Sequence, residues 1–228
     1  MTALVEPPLG EDIRSRTTPY VTRILILINI IAFIPIAYSA FFPENTAASQ
    51  FVDSIYNTFS MVPADFLAGR NLFTLVTCMF LHADIFHIGG NMLYFYIFGD
   101  NVEDAFGHLP YLVFYFAAGI VAGLTYILSV VLAAGDLTVP VLGASGAISG
   151  VMGAYGLLYP RARIRTWFLF FVVNIPAIIY IGSWFVLQLL YTVLDIQSGV
   201  AYWAHIGGFV FGAFIALVYM NLKGKASN

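Results

Sequence analysis

Four polar side chains in an otherwise apolar sequence could together carry out nucleophilic chemistry. Ser145 lies in the small-residue stretch Gly143-Ala144-Ser145-Gly146, and His205 lies far along the chain. A serine hydroxyl within reach of a histidine can act as a nucleophile, with the imidazole as its general base. His87 and Asn91 are four residues apart and therefore share one face of a helix. Both can donate hydrogen bonds to an oxyanion. The four residues therefore predict acyl transfer at Ser145, provided that the segments carrying Ser145, His205 and the His87–Asn91 pair meet in the fold.

Ser145 is placed where a helix is expected to begin, because Pro140 and Gly143 interrupt the chain just before it. The first backbone N–H groups of a helix are unpaired and carry the positive end of its dipole, which favours an oxyanion beside Ser145. The simpler interpretation is that Ser145 only caps the helix. For His87 and Asn91 the simpler interpretation is an interhelical hydrogen bond without chemistry.

The composition is that of a polytopic membrane protein. The chain has 228 residues, of which 61% are hydrophobic and 9% are charged, and its mean hydropathy is +0.89. A net charge of −3 argues against nucleic acid as a partner. Cys78 is the single cysteine and excludes an internal disulfide. The sequence has no HExxH motif or comparable carboxylate set, so no metal site is expected.

The apolar runs predict an all-α bundle of six transmembrane helices. A crossing helix needs about 20 apolar residues. The stretch 71–83 is uncharged but too short to cross, and predicts a membrane-associated loop between the first two helices. The predicted spans are 24–42, 85–102, 109–134, 145–159, 167–194 and 201–222.

The basic residues predict that both chain ends are cytoplasmic. This orientation places eight of the nine Lys and Arg residues inside and leaves Arg70 outside. Residues 1–22 then form a cytoplasmic tail, disordered or lying on the surface, residues 23–222 the helical domain and residues 223–228 a second tail. We expect no cleaved signal peptide in the first tail. The second, fourth and sixth spans all start on the outer side, which brings the four polar residues to a similar depth.

Small residues predict how the fourth and sixth spans pack. Gly146 with Gly150, and Gly208 with Gly212, each form a GxxxG face that allows two helix backbones to approach closely. This packing could bring His205 to Ser145, although the glycines alone are equally compatible with packing that serves no chemistry.

A third catalytic acid is not evident, which predicts a Ser–His dyad. Asp136 and Asp195 fall in outer loops, and Asp84 falls just before the second span.

The motifs together resemble the rhomboid family of intramembrane serine proteases. The matching residues are Gly143 to Gly146 (GxSG), Ala204 to Gly208 (AHxxG) and His87 to Asn91 (HxxxN). The resemblance implies a Ser145 nucleophile, a His205 base and oxyanion donors at Asn91 and His87. It also implies regulated hydrolysis of transmembrane protein substrates within the bilayer of the cell membrane, at a site open to the outer side. The resemblance implies no cofactor and no metal. One departure is Ser149, where some members have a Tyr that stacks on the base.

Two other functions remain compatible with the sequence. A small transporter or channel could line its pathway with intramembrane His and Asn, although no internal repeat and no carboxylate placed for ion coupling is evident. A non-proteolytic rhomboid-like protein that binds membrane proteins is the second alternative. Such a protein would be favoured by loss of Ser145 or His205, and both residues are present.

Overall fold

The computed structural model describes residues 8–13, 15–168, 171–194 and 199–226, and it is mostly helical. Residues Cys78–Phe80 form a 3₁₀ turn. The helices are α1 (Tyr20–Phe41), α2 (Thr46–Phe59), α3 (Pro63–Leu67), α4 (Thr74–Thr77), α5 (Ile85–Phe106), α6 (His108–Leu132), α7 (Ser145–Leu158), α8 (Ala177–Val193) and α9 (Tyr202–Ala226). The strands are β1 (Pro8–Glu11), β2 (Arg163–Phe168) and β3 (Phe171–Pro176).

A helix lies at each of the six predicted spans, but these helices differ in length and polarity. Among the described residues, three regions are long and apolar enough to cross a membrane: α1, α6 and the Tyr202–Lys223 part of α9. Helices α7 and α8 are apolar but shorter, with 14 and 17 residues. Helix α5 has 22 residues and ends in a polar sequence that contains Asp100, Glu103 and Asp104.

The predicted fifth span is wrong in its first third, and the all-α prediction is corrected with it. Residues before Ala177 form β2 and β3, which pair antiparallel from Arg163 with Pro176 to Phe168 with Phe171. Pro176 comes directly before α8, where its ring and missing N–H are tolerated. In β2 the exposed Arg163 and Arg165 alternate with buried Ile164 and Thr166, which is the two-residue period of a strand.

The first tail is also more ordered than predicted. Strand β1 pairs antiparallel with β2 and completes a three-stranded sheet among the described residues. The Glu11 carboxyl accepts hydrogen bonds from Asn101 of α5 and from Tyr155 of α7. A half-buried carboxyl with partners on two helices anchors residues 8–13 to the bundle, which explains why this part of the tail is not a surface-lying segment.

The segment between α1 and α5 holds the chain that leads into α7. Met61 pairs with Val141 through backbone hydrogen bonds of 3.0 and 2.8 Å. The Gly143 N–H donates to the Cys78 carbonyl at 2.9 Å. The start of α7 is therefore fixed by backbone contacts with residues that precede α5.

Helix α7 forms the centre of the core because its small residues let neighbouring helices approach closely. All of its residues from Gly146 to Gly156 are buried. A methyl group added at Gly150 would lie 2.6 Å from Ala118 Cβ of α6 and 3.1 Å from Gly208 O of α9. One added at Gly208 would overlap the Gly146 carbonyl, and one at Gly212 the Gly150 carbonyl. The two GxxxG faces thus meet backbone to backbone.

Candidate active site

Ser145 and His205 are in direct contact. The Ser145 Oγ lies 2.8 Å from the His205 Nε2, within ordinary hydrogen-bond distance. Ser145 is the first residue of α7, and His205 lies in the first turn of α9. The close approach of these helices at Gly146 and Gly208 allows a side chain on each to reach the other.

Gln188 occupies the other side of the imidazole. Its Oε1 lies 3.0 Å from the His205 Nδ1, and its side chain is 2% exposed. The Trp184 ring, one turn earlier on α8, has its centroid 5.9 Å from that of His205 at an interplanar angle of 33°. Sequence reasoning missed both contacts. The signal that could have revealed Gln188 was an amide inside an apolar span, the same cue that singled out Asn91.

His87 places one ring nitrogen close to Gly143, two residues before Ser145. Its Nδ1 accepts a hydrogen bond of 3.4 Å from the Ala83 N–H, so in the neutral ring the proton is on Nε2. A Cβ built on Gly143 would lie 2.8 Å from that Nε2 and 3.7 Å from the Ser145 Oγ. Gly143 has φ +123°, so both its conformation and the nearby imidazole require glycine.

Asn91 is a buried amide with unused hydrogen-bonding capacity. The side chain is 9% exposed, and its Nδ2 has no hydrogen-bond partner among the residues that the structure describes. Buried polar groups are nearly always paired, so each exception calls for an explanation. Asn91 lies one helical turn after His87 on the same face of α5.

These side chains share one cavity of about 1040 Å³. Its lining includes Ser145, His205, His87, Asn91 and Gln188. The wall also contains Asp84 and Asp136, which come from segments that precede α5 and α7. The cavity is large enough to hold both water and a polypeptide segment next to the Ser145 hydroxyl.

The carboxylates considered at the sequence level have other partners or lie outside the described residues. Asp84 caps α5 by accepting hydrogen bonds from the Phe86 and His87 N–H groups at 2.8 and 2.9 Å. Asp136 accepts from the hydroxyl and N–H of Thr138, and these bonds hold the pKa of Asp136 below its usual value. Asp195 lies outside the described residues.

The remaining histidines do not line the cavity that contains Ser145. His82 is fully buried, and its ring packs edge-on against His87 with centroids 5.0 Å apart. His108 lies 2.6 Å from the Glu103 carboxylate at the opposite end of α5. Within the described part of the chain, no group of three or more His, Cys, Asp or Glu is arranged to hold a metal ion.

Comparison with known proteins finds that the chain is similar to one family. The family model described as "Rhomboid domain" matches residues 69–222. The chain is 30% identical to "RHOMBOID-like protein 12, mitochondrial" of Arabidopsis thaliana over 73% of this chain and 51% of that protein. It is 31% identical to "Rhomboid protein 1, mitochondrial" of Saccharomyces cerevisiae over 61% and 39% of the two chains.

A bacterial relative is also similar. The chain is 35% identical to "Rhomboid protease GluP" of Bacillus subtilis over 62% of this chain and 25% of that protein. The chain thus spans between a quarter and about half of the length of these relatives. The family model and these three relatives confirm the resemblance that was read from the motifs around Ser145, His205 and His87.

Proposed function

The chain belongs to the rhomboid family, and we propose that it is an intramembrane serine endopeptidase. Ser145 is the nucleophile in this proposal, and His205 is its general base. The single observation that carries it is the 2.8 Å contact between the Ser145 Oγ and the His205 Nε2. The similarity to the Bacillus subtilis protein named "Rhomboid protease GluP" adds support.

The proposed reaction proceeds through an acyl-enzyme. The Ser145 hydroxyl gives its proton to the His205 Nε2 while Oγ attacks the carbonyl carbon of the scissile peptide bond. The tetrahedral intermediate then collapses, the C–N bond breaks, and His205 returns the proton to the leaving amine. A water molecule from the cavity then gives a proton to the His205 Nε2 and attacks the carbonyl carbon of the ester. The C–O bond to Ser145 breaks, His205 returns the proton to the Ser145 Oγ, and the second product is released.

Asn91 and His87 are proposed to stabilise the oxyanion together with the Ser145 N–H. Among the described residues the Asn91 Nδ2 has no partner, and a Cβ built on Gly143 would lie 2.8 Å from the His87 Nε2 and 3.7 Å from the Ser145 Oγ. Donors that are already oriented cost no reorganisation when charge develops on the carbonyl oxygen. An amide without a protein partner is what such a role requires before substrate binds.

The proposed membrane arrangement follows the sequence prediction. The six helices α1, α5, α6, α7, α8 and α9 span the bilayer, with residues 1–22 and 223–228 as cytoplasmic tails and 23–222 as the protease domain. The Ser145 site then opens to the outer side of the cell membrane. The proposed substrates are transmembrane proteins, whose extended segments enter the cavity from the bilayer.

The decisive test is covalent labelling of the purified protein with a fluorophosphonate probe, in parallel with cleavage of a model transmembrane substrate. We expect wild type to be labelled and active, and Ser145→Ala to be neither. Ser149→Ala is the matched control, because the Ser149 Oγ donates to the Ser145 carbonyl at 2.6 Å and is not the proposed nucleophile. Full cleavage by Ser145→Ala would disprove the proposal. A correctly folded wild type that neither cleaves nor reacts would indicate a binding protein.

A further inference from the structure

We propose that Gln188 is a positioning residue that sets the tautomer and orientation of His205. This inference rests on the proposed function, since it assigns a role to a neighbour of the proposed base. In a Ser–His–Asp site, a carboxylate accepts the Nδ1–H and orients the imidazole. Here the corresponding place is filled by a neutral amide, whose Oε1 lies 3.0 Å from the His205 Nδ1.

The chemistry of the amide oxygen determines where the proton is. An amide oxygen only accepts hydrogen bonds, so the contact with Gln188 requires the His205 Nδ1 to carry the proton. In the neutral ring the Nε2 then carries a lone pair, and it faces the Ser145 Oγ at 2.8 Å. The opposite tautomer would put an N–H against the serine hydroxyl and could not accept its proton. With its Oε1 facing the Nδ1, Gln188 therefore selects the only neutral form of His205 that can act as a base.

The surroundings of Gln188 keep its side chain in place. The residue is 2% exposed, and its backbone carbonyl accepts a hydrogen bond of 2.8 Å from the Thr192 hydroxyl. One turn earlier, Trp184 packs against both His205 and Phe209 of α9. Phe185 stacks on Phe209 with ring centroids 4.3 Å apart. These contacts fix the rotation of α8 relative to α9, so that the amide is directed at the imidazole.

A neutral partner suits this position in a membrane protein. A buried carboxylate carries a desolvation cost of several kcal/mol unless further hydrogen bonds satisfy it. The amide provides the same acceptor atom without a charge. The interaction that orients the base is then obtained without burying an ion next to it.

The kinetic test compares two substitutions at Gln188. Gln188→Met keeps an unbranched side chain of similar length but removes the strong acceptor. It should lower kcat roughly tenfold, with KM changed by less than about twofold, because the lost interaction acts on the base. Gln188→Glu keeps an acceptor oxygen and should retain more of kcat than Gln188→Met. Gln50→Met, at an exposed position on α2, is the control for the substitution itself.

A spectroscopic test measures the tautomer directly and needs no activity. In protein labelled with ¹⁵N-histidine, wild type should show a protonated Nδ1 and an unprotonated Nε2 for neutral His205, assigned by comparison with His205→Ala. Gln188→Met should show a mixture of tautomers. The proposal is overturned if wild-type His205 is protonated on Nε2, or if Gln188→Met changes neither the tautomer nor kcat. Failure of the proposed protease function would instead appear in the Ser145→Ala experiment, with the tautomer unaffected.

Discussion

The two ends of α5 both bury polar side chains, but they satisfy them differently. At the Glu103 end, the Glu103 carboxylate is fully buried and accepts from the Val21 N–H, the Thr22 N–H and the Thr22 hydroxyl at 2.7 to 2.9 Å. At the Ser145 end, the Asn91 Nδ2 is buried without a partner among the described residues. The cavity of about 1040 Å³ is lined by Asn91, whereas Glu103 is not part of its wall.

The difference separates polar groups that hold the fold together from groups left available for a ligand. Glu103 satisfies the first N–H groups of α1, which would otherwise be buried without acceptors. Asn91 makes no comparable contribution to the folded state, so its burial is a cost that a substrate oxyanion can offset. Substitutions at the Glu103 end should therefore reduce stability, and substitutions at the Ser145 end should reduce catalysis.

The largest effect is expected from the Ser145–His205 pair. Ser145→Ala and His205→Ala should each lower kcat by roughly 10⁴–10⁶, because the two groups act as one unit. The double variant should be no slower than either single variant, and the thermal unfolding midpoint should change little. The measurement is cleavage of a model transmembrane substrate by all four proteins. Losses that multiply in the double variant would show that the residues act independently.

Asn91→Ala tests the proposed oxyanion donor. Removal of one such donor typically lowers kcat by about 10²–10³. Stability should change little, since the Nδ2 has no described partner to lose. Asn101→Ala is the control on the same helix, because Asn101 donates to Glu11 and to Asp100 at the other end. A variant Asn91→Ala with wild-type kcat would remove Asn91 from the proposed oxyanion site.

Much of the proposed site could be predicted from sequence, because its motifs are local and topology brings them together. Ser145, His205, His87 and Asn91 each stand out as polar residues in apolar helices, and three predicted spans that start on the same side would place them at similar depth. Gln188 could not be assigned in this way. Helix α8 is apolar on nearly all sides, so hydropathy does not determine which face points to His205.

The sheet was missed for a related reason. Hydropathy measures the transfer of residues into lipid, not their backbone conformation, and residues 167–176 are apolar enough to extend a predicted helix. The alternation of Arg163, Ile164, Arg165 and Thr166 was the available strand signal. Its partner β1 lies more than 150 residues earlier in the chain, and no local pattern predicts that pairing.

Glu103→Gln tests the structural end of α5. The substitution replaces one carboxylate oxygen with an N–H₂ group and removes the charge, so the donors of Val21 and Thr22 lose a strong acceptor. Loss of a hydrogen bond to a charged group costs about 1.5–3 kcal/mol of unfolding free energy. The measurement is unfolding in detergent, together with kcat per probe-labelled site at a temperature where the variant is folded. Glu44→Gln, at an exposed position, is the control. A Glu103→Gln protein with wild-type stability but reduced kcat would contradict the assignment of a structural role to this end of α5 and a catalytic role to the Ser145 end.

The smallest effect concerns pH and the anchored strand β1. Burial, with Asp100 and Asp12 close by, raises the pKa of Glu11 from 4.5 to about 9. Because the pKa is higher in the folded state, the protonated carboxyl contributes stability that is fully present below about pH 4.5 and is lost as pH rises through about 9. The anchoring of β1 should therefore weaken between neutral and alkaline pH, while the Ser145 end retains its structure.

Hydrogen exchange can measure this weakening without relying on activity. After correction for intrinsic exchange rates, the β1 and β2 amides of wild type should be less protected at pH 9.5 than at pH 7. Gln cannot ionise, and its side chain can still accept from Tyr155, so Glu11→Gln should keep nearly the same protection at both pH values. The α7 amides near Ser145 serve as the internal reference, since they lie at the other end of that helix. Equal protection of wild-type β1 at both pH values would show that ionisation of Glu11 does not control this contact.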